Sequence, residues 1–183
     1  RMKPKPECRQ TLRHNKCATF QTIHATTKEI RVPTHAERRK LPYTPEQLFD
    51  LVADIDSYSE FLPWCVASRV RKRNGDVLHA DLVIGFKMFR EKYTSKVTLQ
   101  RPDRVDVEYL QGPFKYLNNH WVFEPAEDGG TWLDFFVDFE FRSALLQKMI
   151  GVVFNEAVKL MVGAFETRAH QVYGEPDKAL SDQ

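Results

Sequence analysis

The feature of the sequence that most constrains the fold is a series of alternating segments followed by one long apolar helix. In residues 131–141, Leu133, Phe135 and Val137 alternate with polar or exposed positions, a pattern typical of a strand with one buried face. From about Ser143 to Tyr173, apolar residues recur at helical spacing instead. An antiparallel sheet with one apolar face needs a cover, which this helix can provide. The sequence therefore predicts an α+β helix-grip fold, a curved antiparallel sheet wrapped around a long C-terminal helix.

The segments before this helix complete the predicted fold. Residues 35–41 are predicted to be the first strand, and Thr44 begins a helix because Thr44 and Gln47 form a capping box. A second short helix is predicted from Asp56. About six further strands follow, the first two joined by a hairpin at Asn74-Gly75.

The apolar residues of the long helix define the side that is predicted to face the sheet. Asn155, Lys159 and Glu166 mark its other side, and Gly174 ends it. The predicted inward residues are Leu146, Met149, Ile150, Val153, Ala157, Leu160, Met161, Ala164 and Phe165.

Charge divides the chain into a tail and a body. Residues 1–33 carry eight Lys/Arg against two acids, lack hydrophobic periodicity and are predicted to be a disordered basic tail. A transit-like segment, an expression remnant and translated sequence upstream of the true start remain open for this tail, whereas a secretory signal is not expected. Residues 34–174 are predicted to form one domain, and 175–183 a polar C-terminal tail. The body is mildly acidic, which argues against nucleic acid as its general partner.

Several classes of protein are disfavoured by what the sequence contains. The three cysteines, Cys8, Cys17 and Cys65, form no C-x-x-C pair, and the histidines lack metal-ligand spacing, so neither disulfides nor zinc are expected. The most apolar window, 149–165, falls short of the ~20 residues that a transmembrane helix requires. Any membrane contact is therefore predicted to be peripheral.

Enzymatic activity is not predicted. Asp134, Asp138 and Glu140 alternate with the apolar residues of the last strand and are expected to face water rather than form an acid–base pair. No nucleophile motif or phosphate-binding glycine loop is present, and no catalytic cofactor is expected.

Several motifs occur in an order that matches a known family. They are Leu41-Pro42-Tyr43-Thr44-Pro45, Asp54-Ile55-Asp56-Ser57-Tyr58, Phe61-Leu62-Pro63-Trp64-Cys65, Gly85-Phe86-Lys87, Arg90-Glu91, Gly112-Pro113-Phe114-Lys115, Asn119-His120-Trp121 and Asp138-Phe139-Glu140-Phe141. Over residues 34–173 the chain resembles the coenzyme Q-binding family of START-like domains, in the polyketide cyclase/dehydrase superfamily.

This resemblance implies that the protein binds ubiquinone, or a similar prenylated lipid, without catalysis. It would act as a chaperone or carrier for respiratory electron transport or quinone biosynthesis, with proteins of those processes as possible partners. A related branch, the ribosome-association toxins (RatA), shares the Phe-Leu-Pro and Gly-Pro-Phe-Lys motifs. It leaves a second hypothesis open, binding to the large ribosomal subunit that blocks subunit association. A third hypothesis is a small-molecule cyclase or hydrolase that uses the same cavity. The Asn119-His120-Trp121 motif is more similar to the quinone-binding branch.

A quinone carrier needs an apolar cavity between sheet and helix, and the inward faces supply candidates for its lining. The same side chains would also form an ordinary packed core, an alternative that the pattern leaves open. The predicted ligand-binding residues are Phe61, Leu62, Trp64, Phe86, Tyr93, Tyr109, Phe114, Leu117, Trp121, Phe135, Val137, Phe139, Met149, Val153, Ala157 and Met161.

Two surface features bear on location. Tyr58, Phe61 and Leu62 are predicted to form either an apolar lip that meets a membrane or a short helix that closes the core. The basic run 69–73 would contact anionic lipid, ribosomal RNA or only water. The resemblance implies a peripheral protein of the bacterial inner membrane's cytoplasmic face, or of the matrix side of the mitochondrial inner membrane.

Overall fold

The fold consists of one sheet, a long helix and two short helices, as seen in a computed structural model. The structure describes residues 34–86 and 89–174, with only the backbone of Phe86. The predictions for the tails 1–33 and 175–183 and for the Phe86 side chain lie outside the described residues.

The order of the elements confirms the predicted α+β helix-grip fold. After β1 come α1 and α2, which are separated by a 3₁₀ turn at Ile55–Ser57; six strands and α3 follow. The bounds are β1 Thr34–Leu41, α1 Pro45–Ala53, α2 Tyr58–Phe61, β2 Cys65–Asn74, β3 Val77–Phe86, β4 Phe89–Gln100, β5 Arg104–Gln111, β6 Phe114–Pro125, β7 Thr131–Phe141 and α3 Ala144–Tyr173.

The seven strands form one antiparallel sheet in the order β1-β7-β6-β5-β4-β3-β2. Strands β2 to β7 are joined to their neighbours by hairpins, whereas β1 pairs with β7, for example His35 with Val137. The first and last strands of the sequence therefore lie side by side at one edge of the sheet, and α3 follows directly after β7. Register shifts interrupt the ladder at Thr94/Ser95 and at Phe114/Tyr116, and such bulges increase strand twist.

The predicted capping box at the start of α1 is present. The Gln47 amide N–H donates to Thr44 Oγ1 at 3.3 Å, and the Thr44 amide N–H donates to Gln47 Oε1 at 2.9 Å. Leu48, Leu51 and Val52 are buried as the helical spacing predicts. The helix is thereby held against the sheet, where it closes one end of the core.

The buried face of α3 differs in part from the predicted one. Leu160, which was predicted to point inward, is 57% exposed, and Met149 lies half-buried at the edge of the contact. The helix contributes these buried residues: Leu146, Gln147, Phe154, Val158, Val162, Phe165 and Ala169. Because both sides of the first half of α3 are apolar, periodicity does not decide which of them packs against the sheet.

Candidate functional site

A cavity of about 160 Å³ lies between the inner face of the sheet and the helices. That volume is about that of an engineered apolar cavity known to bind benzene, so it can hold one ring. The helical side is formed by Val52, Ile55, Tyr58, Leu62, Pro63, Met161 and Phe165. The strands contribute Cys65, Leu82, Ile84, Tyr93, Ser95, Val97, Val105, Val107, Leu117, Asn119, Trp121, Phe135 and Val137.

The cavity exists because inward positions on neighbouring strands differ in size. Ser95, in the middle of β4, is opposite Ala80 of β3, and both residues are fully buried. Larger side chains surround this pair, with Trp121 packed on Phe135 at a ring distance of 4.4 Å and on Phe165 at 5.0 Å. The aromatic rings thus form rigid walls of a gap that Ser95 also borders.

No lining residue carries a formal charge at neutral pH, and the polar lining groups are few. Asn119 accepts a hydrogen bond from Trp121 Nε1 at 3.1 Å and donates one to the Phe136 carbonyl at 2.9 Å. Burial raises the pKa of Tyr58 and of Tyr93 well above the usual tyrosine range, because it disfavours the phenolate. Both phenols are therefore neutral at physiological pH. Burial also raises the pKa of the Cys65 thiol, which is neutral as well.

Seven of the sixteen predicted ligand-binding residues line this cavity. They are Leu62, Tyr93, Leu117, Trp121, Phe135, Val137 and Met161. Three others, Tyr109, Phe114 and Phe139, form an adjoining aromatic cluster, in which Phe114 packs on Tyr109 at 5.6 Å and on Phe139 at 5.4 Å.

The remaining described candidates lie outside the cavity lining. Phe61 packs edge-on against Phe165 at 5.2 Å, on the outer side of that ring. Trp64, in the turn before β2, has a left-handed backbone with φ 64°, and its carbonyl accepts a hydrogen bond from the Gly85 amide at 2.8 Å. Met149, Val153 and Ala157 are half-buried along one edge of α3.

Sequence reasoning missed several lining residues, above all Ser95, Asn119 and Phe165. The alternation that placed Tyr93 and Val97 on the inner face of β4 also places Ser95 there, so the signal was available. Asn119 was passed over because it is polar, although the register puts it between Leu117 and Trp121 on the inner face of β6.

Charge is distributed unevenly along the sequence that contains the strands. Residues 65–100, which form β2 to β4, carry eight Lys/Arg against three acids, whereas residues 104–141 carry two against eight. Asp81 is held by Arg71 Nη1 at 2.8 Å and Lys92 Nζ at 2.7 Å. Hydrogen bonds from Lys92 and Thr94 lower the pKa of Asp81 to about 2. Within the described residues Arg69, Lys72 and Arg73 are exposed cations that form no ion pair.

Two further observations limit the chemistry. No described helix is both long and apolar enough to cross a membrane. The described residues also contain no group of three or more His, Cys, Asp or Glu side chains arranged to hold a metal ion.

The chain is similar in sequence to a known family and to two kinds of named relatives. Residues 41–166 match the family model for polyketide cyclase/dehydrase and lipid transport. The ribosome association toxin RatA of Rickettsia prowazekii is 44% identical over 136 residues, which are 72% of this chain and 92% of that protein. The mitochondrial coenzyme Q-binding protein COQ10 homolog B of Xenopus laevis is 34% identical over 172 residues, 92% of this chain and 70% of that protein.

A solved structure shows the same fold at substantial identity. The solution structure of an 18 kDa protein from Caulobacter crescentus superposes with a TM-score of 0.65 and 38% identity. The match covers 78% of this chain and 99% of that one. The arrangement of sheet and helix is therefore shared by a relative close in sequence as well as in shape.

Proposed function

Since the chain belongs to the polyketide cyclase/dehydrase and lipid transport family, we propose that it binds ubiquinone in the cavity between sheet and α3. The observation that carries the proposal is the uncharged, largely apolar lining around a ring-sized space. Such a lining favours a neutral ring with an apolar tail over a charged metabolite, because a buried charge without a partner costs several kcal/mol. The relative named as a coenzyme Q-binding protein supports the same ligand.

The protein then acts as a carrier or chaperone rather than as an enzyme. Transfer of one methylene of a prenyl tail from water into the cavity contributes about 0.8 kcal/mol to the binding free energy. Transfer from a bilayer contributes little, because the bilayer interior is as apolar as the cavity. A carrier must therefore match the bilayer with a dry cavity and gain its specificity from contacts with the ring. Asp134, Asp138 and Glu140 point to the outer face of β7, away from the cavity, and so do not act on a bound ligand.

A cavity of about 160 Å³ holds the ring but not a long prenyl tail. The tail needs a path, and the edge of α3 that carries Met149, Val153 and Ala157 provides one beside the cavity. Exposed Leu145 and Val152 on the same half of the helix favour contact with a membrane surface, where the tail would leave and enter. We place the protein peripherally at a quinone-containing membrane, which in a eukaryote is the matrix side of the mitochondrial inner membrane.

Organic extraction of the purified protein, followed by mass spectrometry, tests this function. Near-stoichiometric ubiquinone is expected from the unmodified protein and much less from Trp121→Ala. Trp132→Ala is the matched control, because Trp132 lies on the outer face of the sheet. Val107→Phe should also reduce the amount of extracted ubiquinone, because the larger side chain on β5 fills the cavity while every other lining side chain is kept. Protein that contains no quinone, and takes none up from quinone-loaded vesicles, contradicts the proposal.

A second candidate function is association with the large ribosomal subunit. The basic residues of β2 favour it, because Arg69, Lys72 and Arg73 are exposed and form no ion pair among the described residues, and the RatA relative supports it. In this case the protein should sediment with ribosomes at low salt and detach as salt rises. A variant with Arg69→Glu and Arg73→Glu should not sediment, whereas Lys148→Glu on α3 should behave as the unmodified protein.

A further inference from the structure

Ser95 is a fully buried hydroxyl that faces the cavity. Among the described residues, four buried side-chain polar atoms have no hydrogen-bond partner: Ser95 Oγ, the Tyr109 hydroxyl, Asp138 Oδ1 and Gln147 Nε2. Of these four residues Ser95 is the one that lines the cavity. A buried hydroxyl without a partner destabilises the folded protein, so its position on the cavity wall indicates a partner that the ligand supplies.

Apart from the Tyr93 hydroxyl, the other polar side chains of the lining are already engaged within the protein. The Tyr58 hydroxyl donates to the Val52 carbonyl at 2.5 Å, and Cys65 Sγ lies 3.6 Å from the Ala67 carbonyl. Asn119 is held by Trp121 and by the Phe136 carbonyl. Using any of these groups for a ligand would break or share an existing bond, whereas Ser95 can donate its hydrogen at no such cost.

The position of Ser95 also defines where the polar end of a ligand would lie. Ala80 is opposite Ser95 on β3, and Tyr109 is opposite it on β5. Ser95 itself borders the cavity, and Tyr109 brings the second hydroxyl without a partner to the neighbouring strand. A ring placed against this part of the sheet would have its oxygen at Ser95 and its tail directed towards α3.

We propose, on the basis of the quinone-binding function above, that Ser95 donates a hydrogen bond to a ring carbonyl oxygen of the ligand. The uncharged lining restricts the polar end to a neutral acceptor such as a quinone carbonyl. A fatty-acid carboxylate or a phospholipid head would bury a charge without a counter-ion. Ser95 is therefore a specificity determinant, which selects a quinone over other apolar lipids with tails of the same length.

The test compares two ligands in the unmodified protein and in Ser95→Ala. One ligand is a ubiquinone analogue with a short alkyl tail, and the other is the same ring and tail without the two carbonyl oxygens. Quenching of tryptophan emission gives the dissociation constants. Ser95→Ala should weaken the quinone about fivefold to tenfold and leave the carbonyl-free ligand unchanged. The infrared carbonyl stretch of the bound quinone should shift to higher frequency in Ser95→Ala, because the hydrogen bond that lowers it is lost.

Three outcomes separate this inference from the function on which it rests. An equal loss for both ligands, as expected for the packing control Val107→Ala, or no loss for either, overturns the role of Ser95 but leaves quinone binding intact. A lower melting temperature of ligand-free Ser95→Ala also overturns it, because the hydroxyl would then have a partner inside the protein. Unmodified protein that binds neither ligand contradicts the proposed function itself.

Discussion

The two halves of α3 differ in how they are attached to the rest of the protein. In the second half, Met161–Tyr173, the Phe165 ring contacts Tyr58 at 5.4 Å, Phe61 at 5.2 Å and Trp121 at 5.0 Å. The same half adds polar contacts: the Tyr173 hydroxyl donates to the Gln47 carbonyl at 3.0 Å, and Arg168 Nη2 lies 2.9 Å from Glu60 Oε2. This half is anchored to α1 and α2 as well as to the sheet.

The first half, Ala144–Leu160, has fewer anchors and more exposed apolar surface. Phe154 contacts Phe139 at 5.3 Å and His35 at 6.5 Å. On the opposite side of the helix, Leu145 is 60% and Val152 83% exposed. The first half of α3 is therefore held by fewer aromatic and polar side-chain contacts than the second half.

Truncation of one aromatic ring in each half tests this difference most strongly. Phe165→Ala should lower the free energy of unfolding by about 3–5 kcal/mol, because it leaves a cavity among three rings. Phe154→Ala should cost less, about 2–3 kcal/mol, because the first half can shift to close the gap. Urea denaturation measures both values, and equal losses would contradict the idea that the halves are anchored differently.

Glu37, whose partner Arg39 also reaches α3, should contribute to the loss of stability in acid. Glu37 on β1 accepts a hydrogen bond from Arg39 at 2.6 Å and pairs with His35. Arg39 also connects β1 to α3, because its Nη1 donates to Glu166 Oε2 at 2.9 Å. Burial raises the pKa of Glu37, but the bonds from His35 and Arg39 outweigh it and keep the pKa below its ordinary value of 4.5. The resulting stability is present above that value and is lost as pH falls through the lower pKa of the folded state.

Glu37→Gln should therefore flatten the decline of stability below about pH 4.5, by about 1 kcal/mol or less, given that the group is partly exposed to solvent. Urea midpoints measured across the acid range for both proteins provide the comparison. If the two curves are parallel, Glu37 does not link β1 to the pH dependence.

The exposed face of the first half should matter for membranes and not for folding. Val152→Asp is expected to change the free energy of unfolding by less than about 0.5 kcal/mol, because Val152 is exposed. It should nevertheless reduce co-sedimentation with vesicles of neutral and anionic phospholipid several-fold. Val172→Asp, at a 52% exposed valine in the second half, is the matched control and should leave vesicle binding unchanged. Equal effects at both positions would contradict a membrane contact through the first half.

Much of the fold could be predicted because the capping residues and the alternation of apolar residues favour the same elements that the tertiary structure contains. The capping residues Thr44 and Gln47 fixed the start of α1, and the strict alternation of β7 fixed its buried face. The site was less predictable. Ser95 follows the alternation, but nothing in a sequence shows that its hydroxyl lacks a partner, since that depends on every neighbour brought there by three strands and two helices.

The sequence by itself determined the elements, their order and the apolar character of the space between sheet and helix. These properties follow from periodicity, capping and turn residues, which act over a few positions of the chain. Only the tertiary structure decided which side of α3 packs inward, so that Phe154 is buried while Leu160 is exposed. It also decided that a ring-sized gap remains beside Ser95. The physical reason is that packing depends on the combined volume of side chains that are far apart in the chain. The periodicity of apolar residues carries no information about that combined volume.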